Sequence, residues 1–565
     1  MSSFFRILLR LILPAVLLRF DVFASGSMEL RLGSGERNIE RYREYGYTAA
    51  ILGDATPLAT YDDIFTNAID AQSDLRRHIV QQRERFQKDC DRARTLGLDV
   101  CLSSDEVSVP IPILECLKSK NPGKDLIAQI DFDSDEFWQV YRAKYREVLK
   151  AYPQVAYVMI RTGENYSHPE KGYIGRTVVQ KGKYDDNYFR HMAQLIEETR
   201  KVVVDEMGRK LIWRTWDLGN DGFHASPKVY DRVLVGVKDR KGLIFAIKHT
   251  QTDFWRYNDF NPTIGRGGVD QIIEFQCARE YEGKGAFPNY LGPLFAEDMG
   301  KIAAAGVKGA WVWDFGGGWL GPKLQSDRWV RLNIEAVSKL ALDPQASPRA
   351  LAEAWAAREF GPKSATNVAE MLLLSSECVR KCLYVEVFAR NHRGWIPSLN
   401  LMRDDIIRGE VLKKLYDGSK NFLPEVFAEK DEAVTLATRM KTLFENSRRD
   451  IVADRGEREY QESLSSLIYL ENLTEVLDHY IKGMFNFYQW QENHEAVTAS
   501  KARQELVAWR EAWRRYQVEV PKLPGVATIY RSDNRSQNAD ANSTHGAMAE
   551  LCESSLATLD GKTSN

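Results

Sequence analysis

The chain has 565 residues, 44% hydrophobic and 11% aromatic, which is enough for a large core and for more than one domain. Its 77 Lys and Arg against 79 Asp and Glu leave a formal charge of −2, a balance that argues against nucleic acid or any other polyanion as a partner. Seven cysteines without a CxxC or Cys/His cluster indicate neither a zinc site nor a disulfide scaffold, and no cofactor or metal is expected.

Residues 1–25 combine an early Arg6 with an apolar stretch and small-residue spacing around Ala24, the pattern of a signal peptide. Arg10 and Arg19 interrupt the apolar run, which makes it a poor spanning helix. The expectation is export, to the periplasm or outside the cell, with no membrane segment in the mature chain. Asn-x-Ser/Thr sites at Asn165, Asn472, Asn534 and Asn542 matter only in a glycosylating host.

From residue 28 onward, short apolar runs alternate with charged amphipathic stretches, the pattern of βα units around a parallel sheet. Eight strands are predicted, at 28–33, 47–54, 99–104, 156–162, 211–216, 243–249, 272–277 and 309–315. Crossing helices at 75–95, 135–152 and 188–206 separate them. Eight strands in this order predict a (β/α)8 TIM barrel over 26–342. The strand signal then disappears, and Ser347-Pro348 starts a helical run. Helices at 365–389, 431–447, 457–489 and 500–517 predict an all-α C-terminal domain over 343–520, whose surface is where a homodimer would form. Cys378 and Cys382, one helical turn apart, read as two buried small hydrophobes. Residues 521–565 are Ser-, Asn-, Thr- and Asp-rich and are expected to lack structure.

Catalytic groups in such a barrel converge at the carboxyl ends of the strands, and glycosidic bond cleavage requires a proton-donating carboxyl and an ionised carboxylate. Glu164 follows the fourth strand after a glycine that lets the backbone bend. Asp253 and Glu280 fall just past the sixth and seventh strands, as neighbours across the rim. The bland alternatives are a surface glutamate at Glu164 and salt bridges of Asp253 and Glu280 with Arg256 or Arg279. Glu274, inside a strand, reads as structural and paired with Lys or Arg. Arg214 and Lys248 could bind a substrate carboxylate or neutralise the acids. Trp216 and Trp255 offer flat faces for a pyranose, although such tryptophans are also ordinary core. Asp314, closing the eighth strand, could orient Arg214 or bind sugar hydroxyls.

These blocks resemble the α-glucuronidases of glycoside hydrolase family 67. Trp213-Arg214-Thr215-Trp216 is similar to the family's WRAF block, the stretch 246–255 to its QIKNGPxDFQ block, and the stretch 274–283 followed by Tyr290-Leu291-Gly292-Pro293-Leu294-Phe295 to its EFQITQEYLG and YLGPLW segments. The resemblance implies a barrel with a helical carboxy-terminal domain and an inverting hydrolase. It makes Glu164 the general acid, Asp253 with Glu280 the base pair, and Arg214 and Lys248 ligands of a uronic acid carboxylate. The family's amino-terminal domain has no counterpart here, and its Gly/Pro-rich run after the acid is replaced by Asn165-Tyr166-Ser167-His168-Pro169. These departures touch substrate recognition more than the acid and base. The expected substrate is an oligosaccharide or polysaccharide. The alternatives are a retaining glycosidase with Glu280 as nucleophile, and a non-catalytic carbohydrate-binding barrel.

Overall fold

The computed structural model describes residues 27–34, 39–163, 168–179, 183–217, 221–279, 282–314, 327–391, 410–524 and 544–561. The leader expected at 1–25 lies outside them. Among the described residues no helix is long and apolar enough to cross a membrane.

Eight parallel strands close into a barrel: β1 (Leu30–Ser34), β2 (Ala49–Asp54), β3 (Asp99–Asp105), β4 (Val155–Arg161), β5 (Lys210–Arg214), β6 (Leu243–Lys248), β7 (Asp270–Gln276) and β8 (Gly309–Trp313). Each pairs with the next, and β8 returns to β1 through the register Leu30↔Gly309 and Leu32↔Trp311. All eight sit where the apolar runs predict them. The runs are continuous because both faces are covered: β6 is buried at every position.

Side chains along a strand alternate between the barrel interior and the surrounding helices. Leu30, Leu32, Ala49, Cys101, Met159, Ile212, Ile244, Ala246, Ile272 and Trp311 fill the lower interior as one apolar plug. Two residues further along the same faces come Arg161, Arg214, Lys248, Glu274 and Trp313, so the interior changes from apolar to charged toward the carboxyl ends of the strands. The outward set, including Leu211, Trp213, Phe245, Ile247, Ile273 and Phe275, packs against the covering helices. A short antiparallel pair, Ser108–Pro110 with Tyr173–Gly175, sits beyond β3 and β4 and was not anticipated.

Helix Arg328–Leu342 joins the barrel to the helical part by burying two faces. Ile334, Val337 and Leu340 belong to the barrel's outer core, whereas Trp329, Leu332 and Ala336 belong to the helical core. The next helix, Pro348–Phe360, begins as the sequence signals: the Ser347 hydroxyl accepts from the Ala350 amide, and proline occupies the first turn. Helices Ala365–Leu383, Leu423–Glu445, Glu457–Asn493 and Ala496–Glu519 then pack together, with Cys378 and Cys382 buried as thiols in their core.

The tail departs from expectation. Within the stretch expected to lack structure, Thr544–Leu559 is a helix, and Met548, Cys552 and Leu556 are buried in the helical core. Their four-residue spacing is a narrow apolar stripe that the surrounding serines and threonines outweigh in composition. Leu556→Ala should therefore destabilise the helical part by about 2–5 kcal/mol, the usual range for truncating a buried leucine. Thermal melting checks this, and an unchanged melting temperature would mean that the tail helix contributes no packing.

Candidate active site

At the mouth between β3 and β4, Gly163 has a φ of +78°, and a Cβ there would lie 2.7 Å from the Asp217 Cα. Only glycine lets the chain leave β4 this close to the segment after β5. Glu164 is the next residue in sequence and lies outside the described residues. The group that holds this exit is Glu106, just past β3 and fully buried. Its Oε1 accepts from the Gly163 amide at 3.3 Å and its Oε2 from the Val178 amide at 3.2 Å. Burial pushes the Glu106 carboxyl up to about 7, against the opposing effect of the Thr177 hydroxyl and these two amides. Sequence reasoning missed Glu106, although the paired acids Asp105-Glu106 at a strand end were a usable signal. Asp105 itself is bonded to Arg161 of β4, Nε to Oδ1 at 2.8 Å.

Between β5 and β7, Arg214 and Glu274 form a two-pronged ion pair, Nε to Oε2 at 2.9 Å and Nη2 to Oε1 at 2.8 Å. Both are buried, and the guanidinium also lies 5.3 Å from the ring centroids of Trp311 and Trp313. Glu274 thus points into the barrel and takes the structural partner expected of it. The edge of Arg214 formed by Nε and Nη2 is used on the protein.

At the end of β6, the Lys248 ammonium is 2.6 Å from Asp253 Oδ1, 3.5 Å from the Trp216 ring centroid and 4.7 Å from that of Phe254. Asp253 Oδ1 also accepts from the Phe254 amide at 3.0 Å. The Asp253 side chain keeps 17% of its surface exposed while Lys248 keeps 3%, so the carboxylate is the member of the pair that solvent can reach. Trp216 meets Lys248 with its ring and is buried, as is Trp255, so neither offers a broad exposed face. The salt bridges suspected for Asp253 go elsewhere: Arg256 and Arg279 both bind Glu282. Glu280 lies outside the described residues. Asp314 Oδ2 accepts from the Tyr42 hydroxyl at 2.6 Å, so β8 is tied here to the helix after β1.

His224 and His249 sit among these groups, but burial pushes both imidazoles down to about 3, with the Lys248 charge adding to the shift at His224 and the Arg279 charge at His249. They are neutral and hydrogen-bonded to backbone carbonyls of Thr250 and Glu274. Neither imidazole therefore exchanges a proton near neutral pH.

No protein-family model matches the sequence, and no curated protein matches it. Among solved structures, the chain is similar to a glycoside hydrolase family 138 enzyme targeting pectin rhamnogalacturonan II, with a TM-score of 0.59 and 12% identity over 94% of this chain and 67% of that one. A family 115 4-O-methyl-α-glucuronidase with specificity for decorated arabinogalactans gives a TM-score of 0.44 and 11% identity over 92% of this chain and 62% of that one. At these identities the first likeness is one of fold, a closed parallel barrel followed by helices.

The Glu106 carboxyl makes a pH prediction. Between roughly pH 4.5 and 7 the native state keeps a proton that the unfolded chain has released, so this group's contribution falls as pH rises through that window. Glu106→Gln cannot ionise, and the melting temperature of the variant relative to wild type should rise from pH 4.5 to 8, by an amount equivalent to at most about 3 kcal/mol. A difference independent of pH would show that Glu106 is ionised throughout.

Proposed function

We propose that this protein is a secreted glycoside hydrolase that cleaves oligosaccharides derived from polysaccharides, using carboxyl groups at the carboxyl-terminal mouth of the barrel. The observation that carries the reading is Asp253, a partly exposed carboxylate fixed at the end of β6 by Lys248, in a mouth where the inward-facing side chains change from apolar to charged. The fold likeness to an enzyme targeting a pectic polysaccharide supports it. In this reading Glu164 protonates the leaving oxygen, and Asp253 with Glu280 activates water, which gives inversion at the anomeric carbon. The helical part serves as the surface for a homodimer.

The resemblance to α-glucuronidases implies a uronic acid, yet one observation favours a neutral sugar. Both cations assigned to a substrate carboxylate are bonded to carboxylates of the protein, Arg214 to Glu274 and Lys248 to Asp253. Turning Arg214 to a substrate would leave Glu274 buried without its partner, a cost of about 3–5 kcal/mol in comparable sites.

Assay of a panel of matched neutral and uronic glycosides tests both readings. The expected result is cleavage with a higher kcat/KM for the neutral member. Absence of cleavage of every glycoside would leave a non-catalytic barrel, and a preference for the uronide would restore the carboxylate-binding role of Arg214 and Lys248. Product stereochemistry by NMR separates inversion from retention with Glu280 as nucleophile.

Glu164→Gln should lower kcat by about 10²–10⁴ on substrates with poor leaving groups, and much less on activated aryl glycosides that need little protonation. Equal loss on both would mean that Glu164 positions substrate and does not donate a proton.

A further inference from the structure

Arg256 lies three residues past Asp253, and Arg279 immediately precedes Glu280 in sequence. Both arginines reach the same buried carboxylate, Glu282. Arg279 gives Nη2 to Oε1 at 2.6 Å and Nε to Oε2 at 3.3 Å, while Arg256 gives Nε to Oε1 at 3.2 Å and Nη2 to Oε2. Asn289 adds its Nδ2 to Oε2 at 2.7 Å. The helical part completes the cluster. The Tyr384 hydroxyl donates to Glu282 Oε1 at 3.1 Å and accepts the Arg256 backbone amide at 3.3 Å, so one oxygen joins the segment after β6 to the segment after β7. Ser376, in helix Ala365–Leu383, accepts Arg256 Nη1 on its hydroxyl at 2.8 Å and on its carbonyl at 3.2 Å. Two further stitches hold the β7 segment: Ser375 Oγ accepts the Tyr290 amide at 2.8 Å, and Asn333 Nδ2 donates to the carbonyls of Cys277 and Asn289.

We propose that Glu282, with Arg256, Arg279 and Tyr384, is a set of positioning residues through which the helical part fixes two rim segments, the one that carries Asp253 and the one that leaves β7 at Arg279. The proposal rests on the glycosidase reading for its catalytic consequence, but its structural content stands without it. Hydrophobic packing alone could hold the helical part against the barrel. It would not require a carboxylate receiving donors from both rim segments together with a tyrosine and a serine of the helical part that engage the Arg256 side. Rim segments that must hold reacting groups within fractions of an ångström gain from such directional bonds, because a displacement of about 1 Å can cost about 10²-fold in rate.

Tyr384→Phe and Ser376→Ala remove helical-part bonds while leaving every group of the barrel mouth in place, and Glu282→Gln removes the centre. The readouts are native-state amide hydrogen exchange and steady-state kinetics on a glycoside that the wild type cleaves. For Tyr384→Phe we expect exchange of the described residues 253–258 and 282–291 to rise by at least about tenfold relative to the barrel strands. We also expect kcat to fall by at least about tenfold, with KM within about twofold. Unchanged local exchange in Tyr384→Phe and Ser376→Ala overturns the proposal, as does exchange that rises evenly across the helical core, the mark of ordinary packing. If the wild type cleaves no glycoside, the glycosidase reading fails, and the exchange measurement still decides the positioning role. If Glu282→Gln does not fold, the two helical-part variants carry the test alone.

Discussion

A closed parallel barrel leaves its inward-facing side chains two physical options: to be apolar and packed, or to be polar and paired. The interior here obeys both in sequence along the strands. The plug of Leu30, Leu32, Ile212, Ile244, Ile272 and Trp311 excludes water below, and above it the same strand faces carry Arg161, Arg214, Lys248 and Glu274. A lone charge in that position would be costly, so each has a partner at hydrogen-bonding distance: Asp105 for Arg161, Glu274 for Arg214 and Asp253 for Lys248. That pairing engages the three inward cations within the protein.

Pairing of this kind gives the described part of the site its character. The three inward cations are spoken for within the protein, and the two imidazoles of the β6 region are neutral. Two carboxyl groups of the described mouth stand in different environments. Glu106 is sealed from water and its carboxyl is pushed up to about 7, whereas Asp253 reaches solvent beside an ammonium.

Much of this was legible in the sequence. The strands of a parallel barrel are buried on both faces and so appear as unbroken apolar runs, and every run from the first at 28 to the eighth at 309 contains a strand. Helix starts were legible where local chemistry marks them, as at Ser347-Pro348. Glu274 was assigned to a structural pair with Lys or Arg because it lies within a strand, and the structure turns it inward onto Arg214. The sequence did not reveal which partner each charge takes. Arg256 and Arg279 were weighed as partners of Asp253, yet both bind Glu282, a contact that depends on how two loops and the helical part meet in space. Glu106 escaped notice for a similar reason. Its importance comes from the Gly163 and Val178 amides that converge on it, and backbone donors leave no trace in side-chain patterns. The tail helix was hidden because three buried apolar residues, Met548, Cys552 and Leu556, do not change a composition.

The backbone at Arg279 shows how the helical part bears on the mouth. Its φ of +54° is a left-handed conformation that a long side chain adopts at a cost of order 1–3 kcal/mol, and it persists only where the surroundings over-determine it. Those surroundings are at hand: the Arg279 guanidinium is fixed on Glu282, the Glu282 amide bonds back to the Arg279 carbonyl at 2.9 Å, and Tyr384 and Asn289 hold the same carboxylate from two other directions. The strained turn lies at the residue where the chain leaves β7 for the segment that includes Glu280 in sequence. A relaxed turn there would not need an arginine, a buried acid and a tyrosine from another part of the chain. The helical part therefore does more than cover apolar surface, because its Tyr384 hydroxyl holds the carboxylate on which this turn closes.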